Sequence, residues 1–142
     1  MEIEYDPKAL AELLVLETHQ FEAWADVMAL VNALESKGRL LSNEEVDECH
    51  AVRSSEFLYA LRRSPPTAIT PFATEPPVLR VMFAYTVDKS GVERAIILHV
   101  GDKATRGNDW YPGARSTAEA RLREFTIGAG RSAPPQRNPR NS

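Results

Sequence analysis

VLRVMFAYTVDKSGVERAIILHV, residues 78–100, decides the fold. Two almost unbroken apolar runs, 78–87 and 92–100, flank DKSG. Asp, Ser and Gly are turn formers, so the stretch reads as a strand, a tight turn and a second strand. A strand that is apolar on both faces has no face to give to water. These two strands therefore belong in the middle of a sheet.

Working outward, EFLYALRR (56–63) alternates Phe57, Tyr59 and Leu61 against Leu58, Ala60 and Arg62, which predicts a third strand. EIEY (2–5) alternates as well and starts the chain as a strand. Asp6-Pro7 then opens a helix: Asp caps free N–H groups, and Pro fits the first helical position. Leu10, Leu13 and Leu14 follow at helical spacing. A second helical pattern holds Phe21, Trp24, Ala25, Met28, Val31 and Leu34 and stops at Gly38. Between them, ETHQ (17–20) contains no strong breaker. In SNEEVDECH (42–50), Ser42 stands three residues before Glu45, a capping-box spacing that predicts a short helix; its acids also suit a solvated face.

SPPTAITPFATEPP (64–77) carries five prolines and reads as a long loop. STAEARLREF (116–125) predicts a short last helix capped by Ser116, with Ala118, Leu122 and Phe125 apolar. Residues 128–142 lack periodicity and predict a disordered tail after a domain spanning 1–127. The expected order is one strand, two helices, three strands in an antiparallel meander, and a helix. That is an α+β domain with helices on one face of the sheet, the other face being solvated or taken by a partner.

The chain of 142 residues suits one domain, and 43% hydrophobic with 26% charged residues is ordinary globular composition. No apolar run reaches membrane-spanning length, and MEIEYDPKAL has no apolar signal core, so the expected location is the cytoplasm. Cys49 is the single cysteine, and His19, His50 and His99 are scattered. No disulfide, metal site or cofactor is expected from them. The net charge of −3 hides a division: residues 1–60 hold 13 acidic and 4 basic residues, and residues 61–142 hold 7 acidic and 13 basic. Either the two halves serve different partners, or they neutralise each other across the fold.

HVGDKATRGNDWYP (99–112) crowds Asp102, Lys103, Arg106, two glycines and the Trp110-Tyr111 pair behind the last strand. Taken in order, ALRRSPP, PPVLRVMFAY, IILHVGDKATRGNDWYP and a final helix resemble the RelE/HigB-like toxins of bacterial toxin–antitoxin systems, nearest to the phage-derived HigB-like branch. The resemblance covers about residues 20–125. It implies a RelE-like fold: a small curved antiparallel sheet with an N-terminal helical hairpin on one face and a short C-terminal helix. It also implies cleavage of mRNA in the ribosomal A site and neutralisation by a cognate antitoxin. That antitoxin is expected to carry a helix-turn-helix domain and to cover the basic face.

Such cleavage lets a ribose 2′-OH attack the adjacent phosphorus. Without a metal, side chains must supply a base, positive charge for the phosphorane and a proton for the leaving 5′-oxygen. Arginine suits the phosphate because its planar fork binds two oxygens. Arg80 takes the phosphate-clamp role, with Arg62 and Lys103 as supporting charge. Tyr111 is the candidate acid or base and His99 the alternative acid. Trp110 is a stacking platform, while Arg63, Arg106 and Arg115 contribute charge towards RNA phosphates. Each has a plainer alternative. Arg80 could be a buried pair with Glu56 or with an acid from the N-terminal helices. Arg62 and Arg63 could fringe a strand, and Lys103 could hold a turn through Asp102. Trp110 and Tyr111 could pack under the last helix, and His99 could be a satisfied strand-end histidine. A ParE-like gyrase inhibitor or a non-catalytic interaction module with the same fold would need only a binding surface.

Overall fold

The hairpin at the heart of the sequence pairs β4 (Leu79–Val87) with β5 (Glu93–Asp102) in antiparallel register, Val87 opposite Glu93 and Arg80 opposite Gly101. Its turn is built by Asp88, whose Oδ1 accepts from the backbone N–H groups of Ser90 at 2.9 Å and Val92 at 3.0 Å. Gly91 takes φ 82°, a left-handed conformation that costs glycine little. These details come from a computed structural model that describes residues 1–43, 49–63, 79–102 and 110–129.

Around the hairpin lies a five-stranded sheet with strand order β1-β5-β4-β3-β2. β2 (Cys49–Arg53), β3 (Tyr59–Arg63), β4 and β5 form an antiparallel meander. β1 (Glu2–Tyr5) adds parallel to β5, Glu2 opposite Arg94 and Tyr5 opposite Ile97. The sheet is therefore mixed rather than antiparallel throughout: after the helices the chain enters the meander at β2 running opposite to β1, and three reversals bring β5 alongside β1 in the same direction. β2 is also new. The helix expected over 42–50 gives way to a one-turn α3 (Leu40–Asn43) and to a strand starting at Cys49. Residues 44–48 lie outside the described residues, as does the proline-rich 64–78.

α1 (Pro7–His19) begins as expected, with Asp6 Oδ2 accepting from Lys8 N at 2.9 Å and Ala9 N at 3.1 Å. It breaks from α2 (Phe21–Lys37) at Gln20, whose φ −144° and ψ 68° are not helical. No special residue signals that break. Gly38 ends α2 with φ 56°, its N–H donating to Leu34 O at 2.8 Å.

Alternation along the central strands builds two cores. Val81, Phe83 and Tyr85 of β4, with Ala95 and Ile97 of β5, pack with Val27, Leu30, Val31 and Leu34 of α2. Met82 and Ala84, with Ile96 and Leu98, pack on the opposite face against Ala114, Ala118 and Leu122. Those last three belong to α4 (Trp110–Ala129), which occupies the face expected to be free. The helices therefore sandwich the sheet. α4 is 20 residues long, so it is not a short helix, and Ser116 lies inside it rather than capping it. Pro112 in the first turn is no obstacle, because the N–H groups there have no helical partner to lose. Ala60, Ala84, Ala114 and Ala118 line the contact, and their small side chains let helix and sheet approach closely. Gly128 and Ala129, expected to open the tail, are still helical; residues 130–142 lie outside the described residues. Among the described residues, no helix is long and apolar enough to cross a membrane.

Ala118→Leu therefore overpacks the α4–sheet layer and should cost about 1–3 kcal/mol in urea unfolding, whereas Glu119→Leu on the exposed side of α4 should leave the midpoint nearly unchanged.

Candidate functional site

Pairing brings the ends of three strands together. β3 ends in Arg62-Arg63, β4 starts at Leu79-Arg80, and β5 ends at Gly101-Asp102. Leu61 pairs with Val81, and Arg80 pairs with Gly101, so these positions share one end of the sheet. Arg80 is 9% exposed. It alternates with Val81 and so shares the α4 side of β4 with Met82 and Ala84. Its cross-strand neighbour Gly101 has no side chain, which leaves lateral room for a long cation. Burying a guanidinium is costly unless hydrogen bonds and counter-charge compensate it. Glu56, the counter-charge considered from sequence, is exposed in the bend before β3.

The other expected site residues divide. Arg62 and Arg63 are the last residues of β3, and only their backbone is described. Trp110 and Tyr111 do not sit in a loop: they form the first turn of α4, because the helix starts six residues before the expected Ser116 cap. Arg115 is a half-buried residue of α4 whose Nε is buried without a hydrogen-bond partner among the described residues. Lys103 and Arg106 lie outside the described residues.

His99 belongs to a different construction. β1 covers β5 only as far as Ile97, so the edge of β5 beyond that point has no neighbouring strand among the described residues. Side chains and a cap close it instead. Asp6 N–H donates to Ile97 O at 2.9 Å, Arg121 Nη1 to Leu98 O at 2.9 Å, and Val100 N–H to Glu12 Oε1 at 3.3 Å. A bulge falls here, with Met82 opposite His99 and Phe83 opposite Ile97, leaving Leu98 as the extra residue. Glu12 of α1 is the hub. Its Oε1 accepts from Arg121 Nη1 at 2.7 Å, and its Oε2 lies 2.9 Å from His99 Nδ1. A carboxylate can only accept, so Nδ1 carries the proton. Arg121 Nε also pairs with Asp6 Oδ2 at 3.9 Å. One guanidinium from α4 thus reaches around the sheet edge to the cap of α1 and to Glu12 in its middle.

Burial alone would raise the Glu12 carboxyl. The hydrogen bonds and charges of His99 and Arg121 outweigh it and hold the group below the ordinary glutamate range. Sequence reasoning identified Asp6 only as a cap and missed Glu12 and Arg121 altogether. Their separation of 109 residues leaves no local signal.

Related pairs show how the charge division is used. Arg94 binds Glu2 at 2.6 Å, Glu4 at 3.3 Å and Asp88 at 3.0 Å. Arg39 grips Glu93 with two 2.7 Å bonds while lying 4.1 Å over the Tyr85 ring. Glu2, Glu4 and Glu12 of the first half meet Arg94 and Arg121 of the second, so part of the asymmetry is internal neutralisation, while Arg39–Glu93 runs the opposite way. No protein-family model, curated protein or solved structure matches the chain.

Glu12→Gln should destabilise the fold by about 1–3 kcal/mol at neutral pH, since Arg121 and His99 lose their acceptor charge. The folded carboxyl titrates below its unfolded value, so its contribution is present above the unfolded pKa and lost as pH falls through the folded one. Urea unfolding across the acid limb should therefore show a shallower pH dependence in Glu12→Gln than in the parent.

Proposed function

We propose that the chain is a RelE/HigB-like toxin, a ribosome-dependent mRNA endonuclease held in check by an antitoxin. The observation that carries this reading is the shared sheet end. Two strands deliver Arg62, Arg63 and a buried Arg80 there, and a third ends immediately before Lys103 in sequence. Convergent cations from adjacent strands suit a phosphate, and rigid strands hold them more accurately than loops do. The α+β fold, with its N-terminal helical hairpin and meander, agrees with the resemblance at the coarse level.

In this mechanism Arg80 binds the non-bridging oxygens of the scissile phosphate, and Arg62 and Lys103 add charge as the phosphorane forms. The 2′-oxygen bonds to phosphorus while its proton goes to a base. The bond to the 5′-oxygen breaks, and that oxygen takes a proton. Products are a 2′,3′-cyclic phosphate and a 5′-hydroxyl, with no metal called for. Tyr111 remains the candidate for proton transfer. His99 Nδ1 is bound to Glu12 in the edge clamp, which favours the structural role for that residue.

Expression from a tight inducible promoter in bacteria tests the reading. Growth arrest within minutes, with new mRNA 5′ ends in register with codons, is the expected result. Arg80→Ala should lose both while melting like the parent; an unfolded Arg80→Ala would assign the residue to structure. Arrest without codon-register cuts would favour a ParE-like or other binding action, and absence of arrest would contradict toxicity.

A further inference from the structure

A surface helix ordinarily turns one apolar stripe inward and its charges outward. α1 breaks that rule. Its inner stripe is Ala9 and Leu13, both buried, with Leu16 packed beside them. At 100° per residue, the opposite arc holds Leu10, Ala11, Leu14, Val15 and Thr18, without one charge. The structure leaves this arc in solvent: Leu10 is 45%, Leu14 56% and Val15 58% exposed. Just past the elbow, Phe21 is 63% exposed, its ring 5.3 Å from that of Trp24. Single exposed apolar residues need no explanation, but three on one face of α1, with Phe21 at the start of the next helix, mark a contact surface.

Charge selects the occupant. Pro7–Lys37 carries five carboxylates and two lysines. Glu17 and Glu22 are exposed on either side of Phe21. At the other end Lys8 is drawn towards Glu124 at 3.6 Å. An acidic rim repels a second copy presenting the same rim, and it repels anionic lipid and nucleic acid alike. It attracts a cation. α1 is about 20 Å long, which matches roughly four turns of another helix lying along it.

We propose that the outer face of α1, together with Phe21, docks a cationic amphipathic helix of a partner protein. Leu10, Leu14 and Val15 take its apolar stripe, and Glu17 and Glu22 take lysines or arginines flanking that stripe. This surface uses none of the sheet-end arginines and serves whether or not the chain cuts RNA.

A fluorescein-labelled Leu/Lys peptide of about 18 residues, helical and apolar on one face, is a direct probe for the full-length chain by fluorescence anisotropy. Saturable binding is expected, weakened at least roughly tenfold by the double variant Leu10→Ser/Leu14→Ser. Glu17→Gln/Glu22→Gln should weaken it several-fold and flatten its salt dependence. A Leu/Glu peptide of the same pattern should not bind. These positions are exposed, so the variants should melt like the parent, and the comparison is made only between chains that do. Equal binding of the Leu/Lys peptide by parent and Leu10→Ser/Leu14→Ser would overturn the proposal, as would no binding. Self-association seen by sedimentation and abolished by Leu10→Ser/Leu14→Ser would assign the face to a second copy instead. Preferential binding to phosphatidylglycerol vesicles would assign it to a membrane surface.

Discussion

The architecture depends on how the open edge of β5 is closed. A central strand must have its N–H and C=O groups satisfied along both edges, and β1 is too short to do this for β5 beyond Ile97. The remainder is satisfied by groups from opposite faces of the sheet: Asp6 and Glu12 from the α1 side, and Arg121 from α4. Closing the edge therefore also fixes where both helices sit. The bulge at Leu98 belongs to the same device, since it changes the register where His99 meets Glu12. Once these layers are set, Met82, Ala84, Ile96 and Leu98 on the α4 side and Val81, Phe83, Tyr85 and Ile97 on the α2 side fill the two cores.

The sequence spoke clearly wherever the physics was local. Asp6-Pro7, Gly38 and DKSG each carry their own capping or turn chemistry, and β4 and β5 were legible because two short apolar stretches, 81–85 and 95–98, flank that turn. The α1–α2 break was illegible because Gln20 can adopt many conformations and offers no cue. β2 was hidden under an acidic run, and its five residues become a strand only through pairing with β3. The direction of β1 depends on a contact more than 90 residues away. The length of α4 was missed because Ser116 gave a plausible cap in the wrong place. Of the candidate site, the positions at the sheet end followed from strand assignment. The edge clamp did not, since Glu12, His99 and Arg121 meet only after folding.

Two kinds of arginine emerge. Arg39, Arg94 and Arg121 are bound by carboxylates and join segments distant in sequence. Arg62, Arg63 and Arg80 gather at the end of the strands, where the proposed chemistry needs them. In the first kind, Arg94 meets Glu2 and Glu4, Arg121 meets Asp6 and Glu12, and Arg39 meets Glu93. Glu17 and Glu22 of the α1–α2 hairpin flank the uncovered apolar face, at a distance in sequence from the cationic strand ends.

A double-mutant cycle between Glu12→Gln and Arg121→Met, read by urea unfolding at neutral pH, tests the edge closure most directly. If this pair ties the two helical layers across β5, the double variant should be less destabilised than the sum of the singles, with a coupling of about 1 kcal/mol or more. Additivity within about 0.5 kcal/mol would contradict the account and leave the helices held by their apolar faces alone.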